Sequence, residues 1–414
     1  MRKLSFVFFV FIALSAFSQG RMKFQYKGDA FILGNEYLID RLDTFNIADL
    51  PNPKPLSKLD VKNATPLTEC FWRMALAVVE NNMIRTDSGK IIASSINNIG
   101  FAGIIGLNEV YPQQMKWSLK YSVASYLDGD VETHLDEDVV WIWAAAELFK
   151  RNPGLADWNW LYYNAEKAFK QYYNVKFDTN DGLFWGDMPF INIHSIEKIK
   201  ATSINCLYLK AFEAMELSAD SIGLYSKSIE WSNRKNNLRD SILKNLRNSD
   251  HTFKSFLTSS GSNLHSVDAM GFAFTVMSNI ASPNDTKSAF DNYNSNYYGI
   301  ALLPETEDSA FMIFNKKSKP ISDALFLNAL EKTFGVDYTS YNAALLIRAS
   351  KKSHYIKNIT NIEAEFAEGN TFNAFFENIN LETGFSSGEP NNLLSATAFI
   401  NICIRGKLVV LKAE

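Results

Sequence analysis

Two acidic residues are placed where side-chain chemistry is feasible. Asp187 lies in the stretch DGLFWGDMPF and Glu377 in FFENIN, each among large aromatic residues. Apolar rings beside a carboxyl group exclude water, which favours the protonated form and suits it to general acid work. Aromatic faces also stack on sugar rings, so Trp185, Phe184 and Phe376 read as walls of a carbohydrate cleft. The residues alone leave a plainer reading open. An aspartate after the Asp181-Gly182 turn reads first as a solvated loop charge, and Trp185 is equally a core residue. Glu389, on the same segment as Glu377, is a further acid within reach of the same role.

The elements that must position these loops are helices. Thr65-Pro66 opens TPLTECFWRMALAVVENNMI, with Thr65 as N-cap and Pro66 at the first helical position. Apolar spacing predicts further helices over 112–127, 135–151, 157–174, 201–217, 220–246, 264–280, 321–334, 339–350, 368–377 and 392–404, with shorter stretches over 98–108 and 286–293. VVWIWAAAELF and NLHSVDAMGFAFTVMSNI are apolar on more than one face, so each must be covered on both sides, as in the inner layer of a double ring. SIGLYSKSIEWSNRKNNLRDSILKNLR keeps a charged face, as an outer layer requires. No repeat recurs at a fixed period, which argues against helical repeat arrays. The expected fold is all-α, an (α/α)6 toroid, with an irregular helical array as the alternative. Such a ring gathers its loops at one end, where concave sites form.

The run Asp136-Glu137-Asp138 precedes one of the apolar helices. Its first reading is N-capping and complement to the helix dipole. A calcium site there lacks the EF-hand spacing.

The other ends of the chain bound its class and address. Arg2 and Lys3 precede the apolar run Leu4 to Ala16 and the short close Ala16-Phe17-Ser18-Gln19, the pattern of a secretory signal over residues 1–19. A periplasmic or secreted location is the expectation. No later apolar run is long enough for a membrane span. Residues 20–64 alternate loosely and end in LPNPKPLSKL, an extended arm and proline-rich linker before a barrel domain over 65–414. Net charge is −4 and the sequence pI about 5.9, which gives no footprint for nucleic acid. Cys70, Cys206 and Cys403 form no zinc or CxxC spacing and read as buried inert thiols. The five histidines fall in no metal-binding pattern, so neither metal nor cofactor is expected.

The stretch FFENINLETGFSSGEPNNLLSATAFI resembles the C-terminal signature of the six-hairpin glycosidases, the group that includes trehalases, processing alpha-glucosidases and mannosylglycerate hydrolases. The matching residues are Phe376-Glu377, Asn378 to Asn380, Thr383-Gly384, Gly388 and Leu394-Ser395-Ala396. DGLFWGDMPF followed by ATSINCLYLKAFEAM is similar to the block that carries the acid carboxylate and an asparagine facing the site. FAGIIGLNEVYPQQMKWSL, DEDVVWIWAAAELFKRNPGLADWNWL and SVDAMGFAFTVMSNI resemble further blocks of a Bacteroidetes-type branch, so the likeness spans about residues 65 to 404. It implies hydrolysis of a glycosidic bond with inversion, with Asp187 as general acid, Glu377 as general base, and Asn205 and Glu137 as sugar contacts. The branch carries W-T-R-D before its FAG-like helix. This chain reads Ser95-Ile96-Asn97-Asn98 there, with Asn98 in the place of a sugar-gripping aspartate, and it has Leu394 where a tryptophan is common. The β-sandwich that often precedes such a barrel is reduced to the short arm. A non-catalytic carbohydrate-binding or assembly protein on the same scaffold therefore stands as the alternative to an oligosaccharide-cleaving enzyme.

Overall fold

The computed structural model describes residues 24–27, 30–33, 37–40, 43–46, 61–62, 66–87, 89–128, 139–191, 198–265, 267–286, 295–296, 299–304, 311–334, 375, 377–381, 386–389, 391–405 and 410–411. Thr65, the 136–138 acidic run, Phe376, Thr383, Gly384 and the helix expected over 339–350 lie outside them.

Ten helices of this set carry the architecture. They are α1 (Pro66–Asn81), α2 (Ile96–Ala102), α3 (Pro112–Asp128), α4 (Val140–Arg151), α5 (Trp158–Lys176), α6 (Thr202–Ser221), α7 (Tyr225–Asn245), α8 (Ala269–Met277), α9 (Pro320–Phe334) and α10 (Leu393–Arg405). Six of them touch in a closed cycle: α2 meets α4, α4 meets α6, α6 meets α8, α8 meets α9, α9 meets α10, and α10 returns to α2. The rest lie against that cycle, with α1 on α10, α3 on α2 and α4, α5 on α4 and α6, and α7 on α6.

Burial explains the two layers. In α10 every residue from Leu393 to Cys403 is buried, and in α8 every residue from Ala269 to Val276. A helix covered all round needs apolar residues all round, which these sequences supply. In α7 only Trp231, Leu238 and Ile242 are buried, a single stripe at helical spacing. Phe272 of α8 and Phe326 of α9 stack with ring centroids 4.3 Å apart, both about 1% exposed. Each such buried ring stabilises the fold by about 2–3 kcal/mol.

The cycle closes where α2 loosens. Beyond Ala102 the helix widens over Gly103–Leu107, and Gly106 at φ 151 breaks its regular dihedrals. A Cβ on Gly106 would stand 3.5 Å from the Asn401 backbone of α10. Glycine is required there by the positive φ, since a Cβ would meet Asn401 only at ordinary contact distance.

Several boundaries differ from the sequence expectation. The helix expected over 264–280 begins at Ala269, because the Asp268 side chain accepts from Gly271 N at 2.9 Å and caps it there. Residues 263–264 instead pair with Phe256–Thr258. The helix expected over 368–377 is absent from its described positions: Phe375 and Glu377 lie in bends, and Asn378–Asn380 is a strand. Short antiparallel ladders join many of the helices, among them Met83–Thr86 with Gly89–Ile92 and Phe177–Asp178 with Leu183–Phe184. In the N-terminal arm Phe24–Lys27, Ala30–Leu33, Tyr37–Asp40 and Asp43–Asn46 pair in sequence order as a meander. Val61–Lys62 pairs with Val410–Leu411.

Candidate active site

The segment carrying Asp187 is fixed by backbone bonds immediately before the carboxylate. Trp185 N donates to Lys176 O at 2.8 Å, Gly186 N to Ile199 O at 2.8 Å, and Ala201 N to Gly186 O at 3.1 Å. Asn205, in the first turns of α6, brackets the residue before them. Its Oδ1 accepts from Phe184 N at 2.8 Å, while Nδ2 donates to Phe184 O at 3.1 Å and Ala201 O at 2.9 Å. Asn205 is fully buried, so in this structure it holds the loop and turns no atom to a ligand. Phe184 is also 0% exposed, its ring stacked 3.8 Å from that of Tyr208, so the wall expected of it is core packing instead.

A nearly buried lysine completes this anchor. Lys200 donates to Asp178 Oδ2 at 2.7 Å and to Asp181 Oδ2 at 2.6 Å, and its Nζ stands 4.0 Å from the Trp185 ring centroid. The Lys200 bond holds the Asp178 carboxyl below its ordinary range, helped by the Asn180 amide. Charges taken out of water need such partners. Trp185 itself is half-buried, and Asp187 is exposed, with Met188, Pro189 and Ile191 buried behind it.

Glu377 is positioned by a three-stranded ladder in which Lys317–Ser318 pairs with Asn378–Asn380, and these pair with Ser386–Ser387. This register sets Lys319, the residue before α9, beside Glu377, and Lys319 Nζ donates to Glu377 Oε1. Glu377 N donates to Glu389 O at 3.1 Å, and Asn392 N, just ahead of α10, donates to Phe375 O at 2.9 Å. Gly388 passes over the carboxylate at φ 84; a Cβ there would stand 2.8 Å from Glu377 Oε2. Burial raises the Glu377 carboxyl, but the Lys319 bond and charge, with the Glu389 and Asn378 contacts, outweigh it and hold the group below its usual range. Glu377 is thus an ionised, half-buried carboxylate. The Glu389 side chain is exposed, and its contact with Glu377 is through the backbone.

The two segments meet at Phe190. Its ring centroid lies 5.2 Å from Lys319 Nζ and 5.1 Å from the ring of Phe101 in α2. Phe190 and Phe375 hold φ of 64 and 54, a left-handed conformation rare for aromatic residues, so strain is stored on both segments. Asn98 is half-buried on the α2 turn preceding Phe101, its Nδ2 donating to Ser94 Oγ at 3.1 Å. Sequence reasoning missed Lys319 and Phe190. The Lys319-Pro320 step at a helix start was the one available signal.

Two further carboxyl groups are buried outright. Asp323 of α9 accepts from Ser318 Oγ at 2.8 Å and from Ile300 N at 3.1 Å, and burial pushes it up to about 8. Burial likewise raises Asp268 to about 7. Cys206 and Cys403 are buried, and burial pushes the Cys206 thiol up, with the Asp268 charge adding to it. Among the described residues no group of three or more His, Cys, Asp and Glu could hold a metal ion, and no helix is long and apolar enough to cross a membrane.

No family model matches the sequence, and no curated protein does. Solved structures do match in fold. A protein described as a sialidase superposes with a TM-score of 0.62 at 13% identity, covering 84% of this chain and 34% of its own. A GH78 rhamnosidase of a Bacillus species gives 0.55 at 12% identity, covering 84% of this chain and 36% of its own. A GH63 mannosylglycerate hydrolase from Thermus thermophilus, solved with glucose, gives 0.54 at 10% identity, covering 81% of this chain and 100% of its own. The chain therefore spans about a third of the length of the first two and the whole of the third. Its fold is one found among glycoside hydrolases.

Proposed function

We propose that the chain is a glycoside hydrolase on an (α/α)6 toroid, cleaving an oligosaccharide or glycoside with inversion. Asp187 protonates the leaving oxygen, and Glu377 takes a proton from the water that attacks the opposite face of the sugar. Inversion requires about 6.5–9.5 Å between the two carboxyl groups, room for that water. Trp185 and Phe376 are the aromatic faces left to meet the sugar, with Asn98 and Glu137 as polar contacts. Leader-directed export to the periplasm or beyond belongs to the same reading, as does a division into a leader, an arm over 20–64 and a barrel from 65.

The observation that carries it is Glu377: half-buried, kept charged by Lys319, and joined through Phe190 to the segment of Asp187. A base must be ionised and an acid protonated at the same pH, so a carboxylate with a cation beside it takes the base role. The exposed side chain of Asp187 makes its burial-driven protonation the part that substrate binding must supply, by covering it.

The purified protein is to be screened against aryl glycosides and oligosaccharides beside Asp187→Asn and Glu377→Gln. Hydrolysis by the wild type, lost by orders of magnitude in both variants, supports the assignment; unchanged variants refute it. Proton NMR of the fresh product reads the anomer and tests inversion. A second reading, a non-catalytic carbohydrate binder, draws on Asn98, an amide where the resembled enzymes keep an acid. Sugar binding without turnover across the panel would select it.

A further inference from the structure

Lys319 stands where a cation is costly. Its side chain is only 9% exposed, and it immediately precedes Pro320, the first residue of α9. The helix dipole presents partial positive charge at that end, so an ammonium there is disfavoured. A lysine kept under those conditions needs a carboxylate of its own. The acid nearest in sequence on α9, Asp323, has its oxygens occupied by Ser318 Oγ and Ile300 N. Lys319 instead bonds Glu377, on a segment distant in sequence, and rests against the face of Phe190. A cation over an aromatic ring gains about 0.5–2 kcal/mol when partly desolvated, so the ring adds to the hold.

Phe190 is in turn the residue that ends DGLFWGDMPF, the stretch that bears Asp187. One ammonium therefore contacts the segment of each candidate carboxylate. We propose that Lys319 is a positioning residue of the hydrolytic site: its ammonium orients Glu377 toward the Asp187 segment and keeps it charged for proton abstraction. The inference rests on the hydrolytic reading given above. The groups around Glu377 make Lys319 the one that matters for its charge. Glu389 meets it through a carbonyl, Asn378 is an amide, and Gly388 has no side chain.

Acting through Glu377, Lys319 should govern a pH profile and not merely a yield of folded protein. The test uses the full chain as wild type, Lys319→Met and Lys319→Arg, with folding checked by circular dichroism and thermal melting. Two readouts are taken: the pH dependence of kcat/KM on an aryl glycoside that the wild type cleaves, and the titration of carbon-13-labelled glutamate carboxyls, with Glu377→Gln assigning the Glu377 signal. Lys319→Met is expected to move the Glu377 titration and the acid limb of the profile upward together by about one pH unit or more, the effect of removing an adjacent opposite charge. Its kcat should fall about tenfold or more while KM changes less, and Lys319→Arg should restore most of the rate and the acid limb. An active wild type whose profile and Glu377 titration both stay put in folded Lys319→Met overturns this proposal alone. A wild type inactive on every substrate overturns the hydrolytic reading beneath it.

Discussion

The segments of Asp187 and Glu377 are built on the same device and use it differently. Each has a lysine almost removed from water, Lys200 at 6% and Lys319 at 9% side-chain exposure, each bound to carboxylate and set against an aromatic ring. Lys200 spends its charge on Asp178 and Asp181, which precede Asp187 and shape its loop. Lys319 spends its charge on Glu377 itself. A scaffold pair and the pair proposed to serve catalysis can look alike in distance and burial. What separates them is which carboxylate the cation touches: a base gains from a cation beside it, whereas an acid would be stripped of its proton.

The comparison can be broken most sharply at the carboxylates. Glu377→Gln and Asp187→Asn should each lower kcat/KM by about 10³-fold or more, within the 10²–10⁴ range of a lost acid or base and the added loss of its charge; a drop in only one of them would assign a single-acid mechanism. Next comes the scaffold lysine. Lys200→Met leaves Asp178 and Asp181 together and uncompensated, and should cost about 2–4 kcal/mol in urea unfolding, discounted for their partial exposure. Lys319→Met should cost only about 1 kcal/mol, because Glu377 is 38% exposed and screened by water. If the two costs come out equal, the distinction between scaffold and functional pair fails. Gly388→Ala is expected to cost about 1–2 kcal/mol from its positive φ while displacing Glu377, so that activity falls more than stability does.

A further effect is one of pH, and its sign differs between groups. Asp178 and Glu377 have folded pKa values below their unfolded ones, so their stabilisation is present above the ordinary carboxylate range and lost as pH falls through it. Asp268 and Asp323 are raised to about 7 and about 8, so theirs is complete below the ordinary value near 3.8 and is lost as pH rises to those values. Thermal stability should therefore peak in the mildly acidic range and decline toward pH 8. Asp323→Asn, which keeps an oxygen for Ser318 and Ile300, should flatten the alkaline decline; a parallel curve would show that Asp323 does not titrate there.

Much of this was legible in the letters. All-round apolar character put α4 and α8 inside, and the charged face of α7 put it outside, because burial is what those patterns record. Glu377 was legible by its neighbours, but a helix was expected up to it. Two- and three-residue ladders carry too little periodicity to announce that Asn378–Asn380 pairs with Lys317–Ser318. Lys319 was invisible for the same reason, since its partner is brought to it only by that pairing. Asn205 and Phe184 had the right chemistry for a sugar site, yet sequence cannot tell an amide that grips a ligand from one that grips a backbone.

The seam between Gly106 and Asn401 fixes an order of events. Of the six helices in the cycle, the last to leave the ribosome is the one that must slot between the first and the fifth, so the enclosure stays open until synthesis has passed Arg405. Glu377 arrives on the stretch just before that final wedge. Under the proposed chemistry, competence to cut a glycoside is gained in a single late event, and a nascent chain halted short of α10 would be inert.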